Sequence, residues 1–560
     1  MTRLNRRAFL QTGLAATIGA IPATRSFASV QPRFDLLIRG GNLLDGTGNP
    51  AYPADIGIIG DRIAAIGTIS PAQGQRVIEA GGKTVTPGFI DIHTHSDDSI
   101  LVYPNADSRI HQGVTTEVTG NCGSSEAPAP RATEDERARR LEEEAGVHLP
   151  YSNVDSYLSA LSKRQIAVNQ ALLLGQGSIR EMVAGPDDRE LSADELKQVL
   201  RIVEEGLEQG AFGISTGLEY TPGRFTPTDE IVAMARVTAR YGALYASHIR
   251  NEELRLLEAI AEAIHIGRSA GVRVEISHFK AAGRMNWDKQ GPALDLIEAA
   301  RRSGIEVLAD AYPYPAYSTG LSIFLSSWVL DGGWEKAEER LKDPASVSKV
   351  ISEIGQRVKQ DPGGFDRIVL SRLREESQRD FIGKHVEEIA AGWRISPAEA
   401  TVRLLLENQG SIGFVGFGMS ESNVEQALAH PLVMIGSDGS SMAPTGPAAG
   451  SRPHPRSYGA FPRVLSHFVR EQKVMDLPTA IKKMTSLPAD QVGLKGRGRI
   501  ARGMFADLVV FDPESIRDEA TFEDPHQFAS GIQHVLVNGK SVIEDGKSTG
   551  NRPGLALRRG

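Results

Sequence analysis

The chain has 560 residues, 40% hydrophobic and 24% charged, with a formal net charge of −8. That length supports a large core and more than one domain. The acidic balance argues against a nucleic-acid or anionic-membrane partner, and a single cysteine, Cys122, excludes an internal disulfide.

In chain order, the first segment reads as a leader. Asn5-Arg6-Arg7-Ala8-Phe9-Leu10-Gln11 is a twin-arginine pattern, followed by the uncharged apolar residues 13–23. Small residues around Ser26-Phe27-Ala28 suit cleavage, so residues 1–28 are expected to be a twin-arginine signal peptide. The apolar stretch is too short for a membrane span of about 20 residues. A periplasmic or secreted bacterial protein follows, passed folded through the twin-arginine export machinery, with no stable membrane insertion afterwards. Residues 1–28 hold four arginines and no acid or lysine, so the mature net charge is about −12.

Residues 34–85 hold short β-rich runs (34–38, 55–59 and 62–66) broken by glycine and asparagine, which predicts a small sheet. From 85 to about 314, strand-like runs (167–174, 213–217, 244–248, 272–278 and 306–312) alternate with helical ones (193–209, 252–270 and 291–303). Such alternation means parallel strands with crossover helices, and the length suits a (β/α)8 barrel. Around 328–407 the rhythm breaks into charged, mostly helical sequence, predicted to be an insertion. The barrel is predicted to resume at 412–416 and 433–438. Beyond Met484, the runs 506–511 and 534–537, the latter followed by Asn538-Gly539, predict strands and a hairpin that complete the small sheet. The expected class is α/β: a TIM-like barrel over 86–484, with the small β layer from 29–85 and 485–560.

The candidate chemistry begins at Thr86-Pro-Gly-Phe-Ile-Asp-Ile-His93-Thr-His95. Phe89, Asp91, His93 and His95 alternate on one face of an apolar run, the two-residue repeat of a strand. Paired imidazoles at a strand end pack poorly but ligate zinc well. Cys122 lies in Thr119-Gly-Asn-Cys122-Gly-Ser-Ser, a turn after the strand-like 115–118. A buried structural thiol is the alternative, and the turn residues favour a ligand. Of 13 histidines, His248 and His278 each close a predicted strand, at the end where barrel enzymes keep their chemistry. Asp438 closes another, although an aspartate there could also cap a helix. His265 falls mid-helix and His430 precedes a proline. These two, with His111, His148, His385, His467, His526 and His534, read as surface or packing residues.

Taken together, His93-Thr-His95, Cys122, His248, His278 and Asp438 resemble the metal-site pattern of the amidohydrolase superfamily. More narrowly, the chain resembles the N-acyl-D-amino-acid deacylases (D-aminoacylases) over about residues 34–547. The segments that carry this are Gly113-Val-Thr-Thr-Glu-Val-Thr-Gly-Asn-Cys-Gly, Gly213-Ile-Ser-Thr-Gly-Leu-Glu-Tyr, Ser247-His-Ile-Arg-Asn-Glu and His454-Pro-Arg-Ser-Tyr-Gly. The resemblance implies a TIM barrel flanked by a small β-sandwich built from both chain ends. It implies one tightly bound zinc on Cys122, His248 and His278, with His93, His95 and Asp438 bordering a second, weaker position. The implied reaction is zinc-dependent hydrolysis of an N-acyl-D-amino acid to a carboxylate and a free D-amino acid, with Asp438 as proton shuttle. The D preference is carried by the resemblance alone.

A small-molecule substrate with a free carboxylate needs an anchor, and the resemblance points to Arg456, Lys280 and Tyr312. Relatives selective for acidic D-amino acids are expected to carry an arginine after Tyr312. Residues 318–330 have none, which suggests a neutral or apolar side-chain pocket. The alternatives are a D-residue dipeptidase, a cyclic amidase, or a non-catalytic periplasmic binding protein.

Overall fold

The computed structural model describes residues 34–560, so the expected leader, residues 1–28, lies outside them. Eight short parallel strands form the centre: Phe89–Asp91, Val114–Thr119, Asn169–Gly175, Gly213–Gly217, Leu244–His248, Arg273–Ile276, Val307–Ala311 and Val433–Ile435. Each pairs with the next in that order. Almost every residue in them is buried, as befits strands covered on both faces. The covering helices show why they dock. In Ala193–Glu208, Ser192 and Glu195 form a reciprocal capping box, and Val199, Val203 and Leu207 bury one stripe at a four-residue spacing.

The eighth strand meets the first through loop backbone rather than a regular ladder. Asp438 N–H donates to the His93 carbonyl at 2.8 Å, and His95 N–H to the Gly439 carbonyl at 2.8 Å. Below them the Asp91 carboxylate accepts the Ser437 N–H at 2.9 Å. The nearly closed barrel is therefore seamed by the very segments that carry the candidate ligands.

Both chain ends build a mixed nine-stranded sheet. Its seam is the antiparallel pairing of Leu508–Phe511 with Thr84–Pro87, the strand that runs directly into the first barrel strand. The hairpin between Ile532–Val537 and Lys540–Glu544 turns at Asn538 and Gly539, both at positive φ (49° and 77°), as a two-residue type I′ turn requires. Leu36, Ile56, Ile58, Val85, Leu508 and Val510 give this layer an apolar core of its own.

The chain's path departs from expectation between the seventh and eighth barrel strands. Residues Ile412–Gly416 do not resume the barrel. They form the middle of a three-stranded antiparallel sheet with Tyr317–Gly320 and Ile368–Leu373. A short apolar run such as Ile-Gly-Phe-Val-Gly is a good buried strand, but nothing in it specifies which sheet it joins. The mostly helical segment 328–407 thus carries a strand as well, and the sheet extends on both sides of it. No helix among the described residues is long and apolar enough to cross a membrane.

Candidate metal centre

The expected ligands converge at the C-terminal mouth of the barrel. The first strand ends at Asp91, so His93 and His95 lie in the loop beyond it, with His93 fully buried and the His95 side chain 35% exposed. Cys122 follows the second strand, His248 ends the fifth, and His278 and Asp438 lie just beyond the sixth and eighth. Cys122, His278 and Asp438 all have positive φ (51°, 35° and 52°), a conformation that costs a non-glycine residue about 1–3 kcal/mol. The Cys122 turn is further pinned by Gly217, where a Cβ would come within 2.0 Å of the Cys122 carbonyl oxygen. Only glycine permits that approach.

Cys122 Sγ lies 3.3 Å from His93 Nε2 and 3.3 Å from His278 Nε2. His248 Nδ1 is 2.8 Å from His278 Nε2. Two ring nitrogens that close cannot both carry a proton towards each other, so at least one lone pair faces the gap between them. His93 Nε2 and His95 Nε2 lie 3.6 and 3.0 Å from Asp438 Oδ1. His93, Cys122 and His278 form one set of donor atoms within 4.8 Å of one another, and His93, His95 and Asp438 form a second. His248 with Glu252 and His278 forms a third.

Two of the imidazoles are oriented from behind. His93 Nδ1 sits 3.3 Å from Asp310 Oδ2, and His278 Nδ1 sits 2.9 Å from Glu252 Oε1. A carboxylate behind the ring is the arrangement found at metal-bound histidines, and Lys280 Nζ also lies 2.9 Å from His278 Nδ1. Burial raises the Cys122 thiol, but His93 and His278 outweigh it and hold the group well below its usual range. Burial likewise disfavours charge on His93, while Asp310 and Cys122 reverse this and raise it well above an ordinary histidine. For Asp438, burial is overcome by Arg456 and His95, which keep its carboxyl well below the usual carboxylate range. A thiolate among imidazoles, with a carboxylate adjoining, is a borderline-soft donor set that fits zinc. His248 Nε2, buried and without a hydrogen-bond partner, is a further uncommitted donor.

The expected carboxylate anchors stand beside this cluster. Arg456 Nη1 pairs with Asp438 Oδ2 at 2.7 Å, and Nη2 donates to the Ser318 carbonyl at 3.1 Å. Lys280 Nζ donates to Glu252 Oε1 at 2.6 Å and to the His278 carbonyl at 3.0 Å. The Tyr312 ring lies between the two cations, 4.9 Å from the Arg456 guanidinium and 5.8 Å from Lys280 Nζ, and its hydroxyl points to Met419 Sδ. A cleft of about 410 Å³ opens over His95, Cys122, His278, Asp438 and Arg456. A narrower cavity adjoins it beside His248, Lys280 and Tyr312.

Residues 76–293 and 396–543 match the amidohydrolase family model. An N-acyl-D-glutamate deacylase of Alcaligenes xylosoxydans xylosoxydans is 37% identical over 530 residues, 95% of this chain and 98% of that protein. The fold superposes on the Bordetella bronchiseptica N-acyl-D-glutamate deacylase complexed with zinc and a phosphonate mimic of the tetrahedral intermediate. That match has a TM-score of 0.79 and 34% identity, over 94% of this chain and all of the other. A D-aminoacylase with a binuclear metal centre superposes with a TM-score of 0.79 at 37% identity, with the same coverage. The chain belongs to the D-aminoacylase family of amidohydrolases. It is a metal-dependent amidohydrolase.

Within this family member, four supporting residues escape a reading of the sequence alone. Glu252 closes the Ser247-His-Ile-Arg-Asn-Glu run, and only the fold shows its carboxylate behind both His278 and Lys280. Glu219 accepts the Glu252 N–H at 3.2 Å and approaches His248 Nε2 at 3.6 Å. Asp310 backs His93. His454 is buried, donates from Nε2 to the Ala316 carbonyl, and accepts the Arg456 N–H at Nδ1. His-Pro-Arg was the only signal for it. Of the histidines read as bystanders, His265, His430 and His467 contact only groups remote from the cluster.

The cavity beside the cluster is lined by residues of mixed character. Residues 318–330 supply Ser318, Thr319, Ile323 and Phe324 to the narrower cavity, but Glu253, Arg357 and Asp361 line it too.

Glu252→Gln is expected to weaken zinc binding by 10–100-fold, because His278 loses the carboxylate that orients it. Competition with a chromophoric chelator, with circular dichroism as a check on folding, measures this. Unchanged affinity in a folded variant contradicts that role.

Proposed function

We propose that this protein hydrolyses the amide bond of N-acyl-D-amino acids, releasing a carboxylate and a free D-amino acid. The observation that carries the reading is the thiolate–imidazole cluster with a carboxylate and a guanidinium, Asp438 and Arg456, at its edge. Its placement in a family whose relatives include deacylases of this substrate class supports it.

In this reading Cys122, His248 and His278 hold one zinc tightly, and His93, His95 and Asp438 border a weaker position. Zinc held there would supply a Lewis acid and would lower the pKa of a water towards about 7. The protein's own groups do the rest. Asp438, kept ionised by Arg456 and His95, is free to accept a proton at Oδ1 or Oδ2 and return it to the leaving nitrogen. Arg456 offers the substrate carboxylate a charged, bidentate partner. Lys280 adds positive potential, although its ammonium already serves Glu252, and Tyr312 lies between the two cations as a wall. Burial of the cluster excludes bulk water, which strengthens each of these interactions.

The test is hydrolysis of paired N-acetyl-D- and N-acetyl-L-amino acids by zinc-loaded protein. Selective turnover of D forms, abolished by chelation and restored by zinc, is expected. No turnover of either series with zinc bound contradicts the reading, and turns attention to D-residue dipeptides and cyclic amides. Binding without any turnover would instead indicate a non-catalytic binding protein.

The roles at the cluster's edge separate kinetically. Asp438→Asn is expected to lower kcat by 10²–10⁴-fold, the range for a lost proton shuttle. Arg456→Ala removes a charged hydrogen bond worth about 1.5–3 kcal/mol, a loss of roughly 10–100-fold in kcat/KM. Undiminished kcat/KM across good substrates would remove Arg456 from the anchoring role.

We also propose that residues 1–28 direct export by the twin-arginine route to the periplasm or beyond. Replacing Arg6 and Arg7 together by lysine is expected to retain the protein in the cytoplasm. Fractionation that finds the double variant exported as before contradicts this.

A further inference from the structure

The narrower cavity beside the cluster has a charge pattern that the catalytic roles do not use. Glu252 and Asp438 both face it, but each is already paired, with Lys280 at 2.6 Å and with Arg456 at 2.7 Å. Glu219, Glu253 and Asp361 add three more carboxylates, against one further guanidinium, that of Arg357. Among the described residues neither Glu253 nor Asp361 has a cation within 4.0 Å, and Glu219 has only His248, at 3.6 Å. Arg357 offsets Glu253, whose pKa it lowers against the effects of burial and Glu219. Glu219 is answered by His248, and Asp361 has no cation in contact, only the more distant Lys280.

Asp361 shows most directly what the cavity lacks. It is only 6% exposed, and Oδ2 accepts the Tyr317 hydroxyl at 2.5 Å, while Oδ1 has no hydrogen-bond partner. A buried carboxylate oxygen without a donor is costly, and a cationic hydrogen-bond donor relieves it best. Burial, with Glu219 adding to it, pushes Asp361 up to about 7 and Glu253 up to about 8. The cavity also offers apolar surface. Ile323 and Phe324 line it with the rings of Tyr220 and Tyr317, surfaces suited to the methylene stem of a long side chain.

We propose that this cavity receives the substrate's side chain and selects a cationic one, so that N-acyl derivatives of D-arginine, D-lysine and D-ornithine are the preferred substrates. The inference rests on the deacylase reading above and adds the side-chain class to it. An acidic side chain would enter against the same carboxylates, so the specificity named for the D-glutamate relatives is not expected here. The insertion between the seventh and eighth barrel strands supplies Tyr317, Arg357 and Asp361, and so sets the choice.

The test compares kcat/KM of the zinc-loaded protein for N-acetyl-D-arginine against N-acetyl-D-citrulline, its uncharged near-isostere. N-acetyl-D-lysine, N-acetyl-D-norleucine and N-acetyl-D-glutamate complete the set. The arginine derivative is expected to exceed citrulline by at least about 10-fold, and glutamate to be poorest, as one buried charge pair implies. Asp361→Asn keeps an acceptor for Tyr317 and is expected to collapse the arginine-to-citrulline ratio. Glu253→Gln, at a half-buried position, provides a second reading should the first variant fold poorly. Turnover of norleucine or glutamate with no cationic preference, or a ratio that neither variant moves, overturns this inference and leaves the deacylase reading intact. No turnover of any D derivative overturns both.

Discussion

The fold is organised around a difficult act of burial. A thiol, three imidazoles and several carboxylates are packed out of water in one barrel mouth, where any unpaired charge is expensive. The arrangement is tolerable because the signs alternate. Cys122 lies between His93 and His278, Asp438 between His95 and Arg456, and Glu252 between His278 and Lys280. The same segments close the barrel, since the loop after the first strand and the loop after the eighth bond to each other through His93, His95 and Asp438. Site and scaffold therefore stand or fall together. Strain at Asp438 is held by that closure.

Chemistry and selectivity come from different parts of the chain. The barrel strands end in the donor atoms, as parallel barrels do when their reactive groups sit at the C-terminal face. The segment between the seventh and eighth strands adds a separate three-stranded sheet and helices, and it covers the neighbouring cavity. On the proposal above, such a division lets the side-chain class be set by residues other than the metal ligands.

The cluster of candidate donors was legible in the sequence because each residue follows an apolar strand-like run, and that position needs no knowledge of neighbours. His93, Cys122, His248, His278 and Asp438 all satisfy it. The alternation of parallel strands and helices was legible for the same local reason. Residues whose role depends on who stands beside them in space were not. Glu252, Glu219 and Asp310 look like ordinary acids until the barrel brings their strands together. Ile412–Gly416 has the composition of a buried strand, yet its partners, Tyr317–Gly320 and Ile368–Leu373, are scattered over about a hundred residues. Residues 318–330 supply one wall of the neighbouring cavity, whereas Glu253, Arg357 and Asp361 arrive from elsewhere and add charge to it.

The claim on which everything turns is that Cys122 is a thiolate ligand to the catalytic metal. Cobalt substitution tests it directly, because a thiolate bound to cobalt(II) gives an intense near-ultraviolet charge-transfer absorption that imidazole and carboxylate ligands do not. The active cobalt protein is expected to show that band, and Cys122→Ser to lose it together with tight metal binding. An active, stoichiometrically loaded cobalt protein without the band would contradict the assignment and the reading built on it.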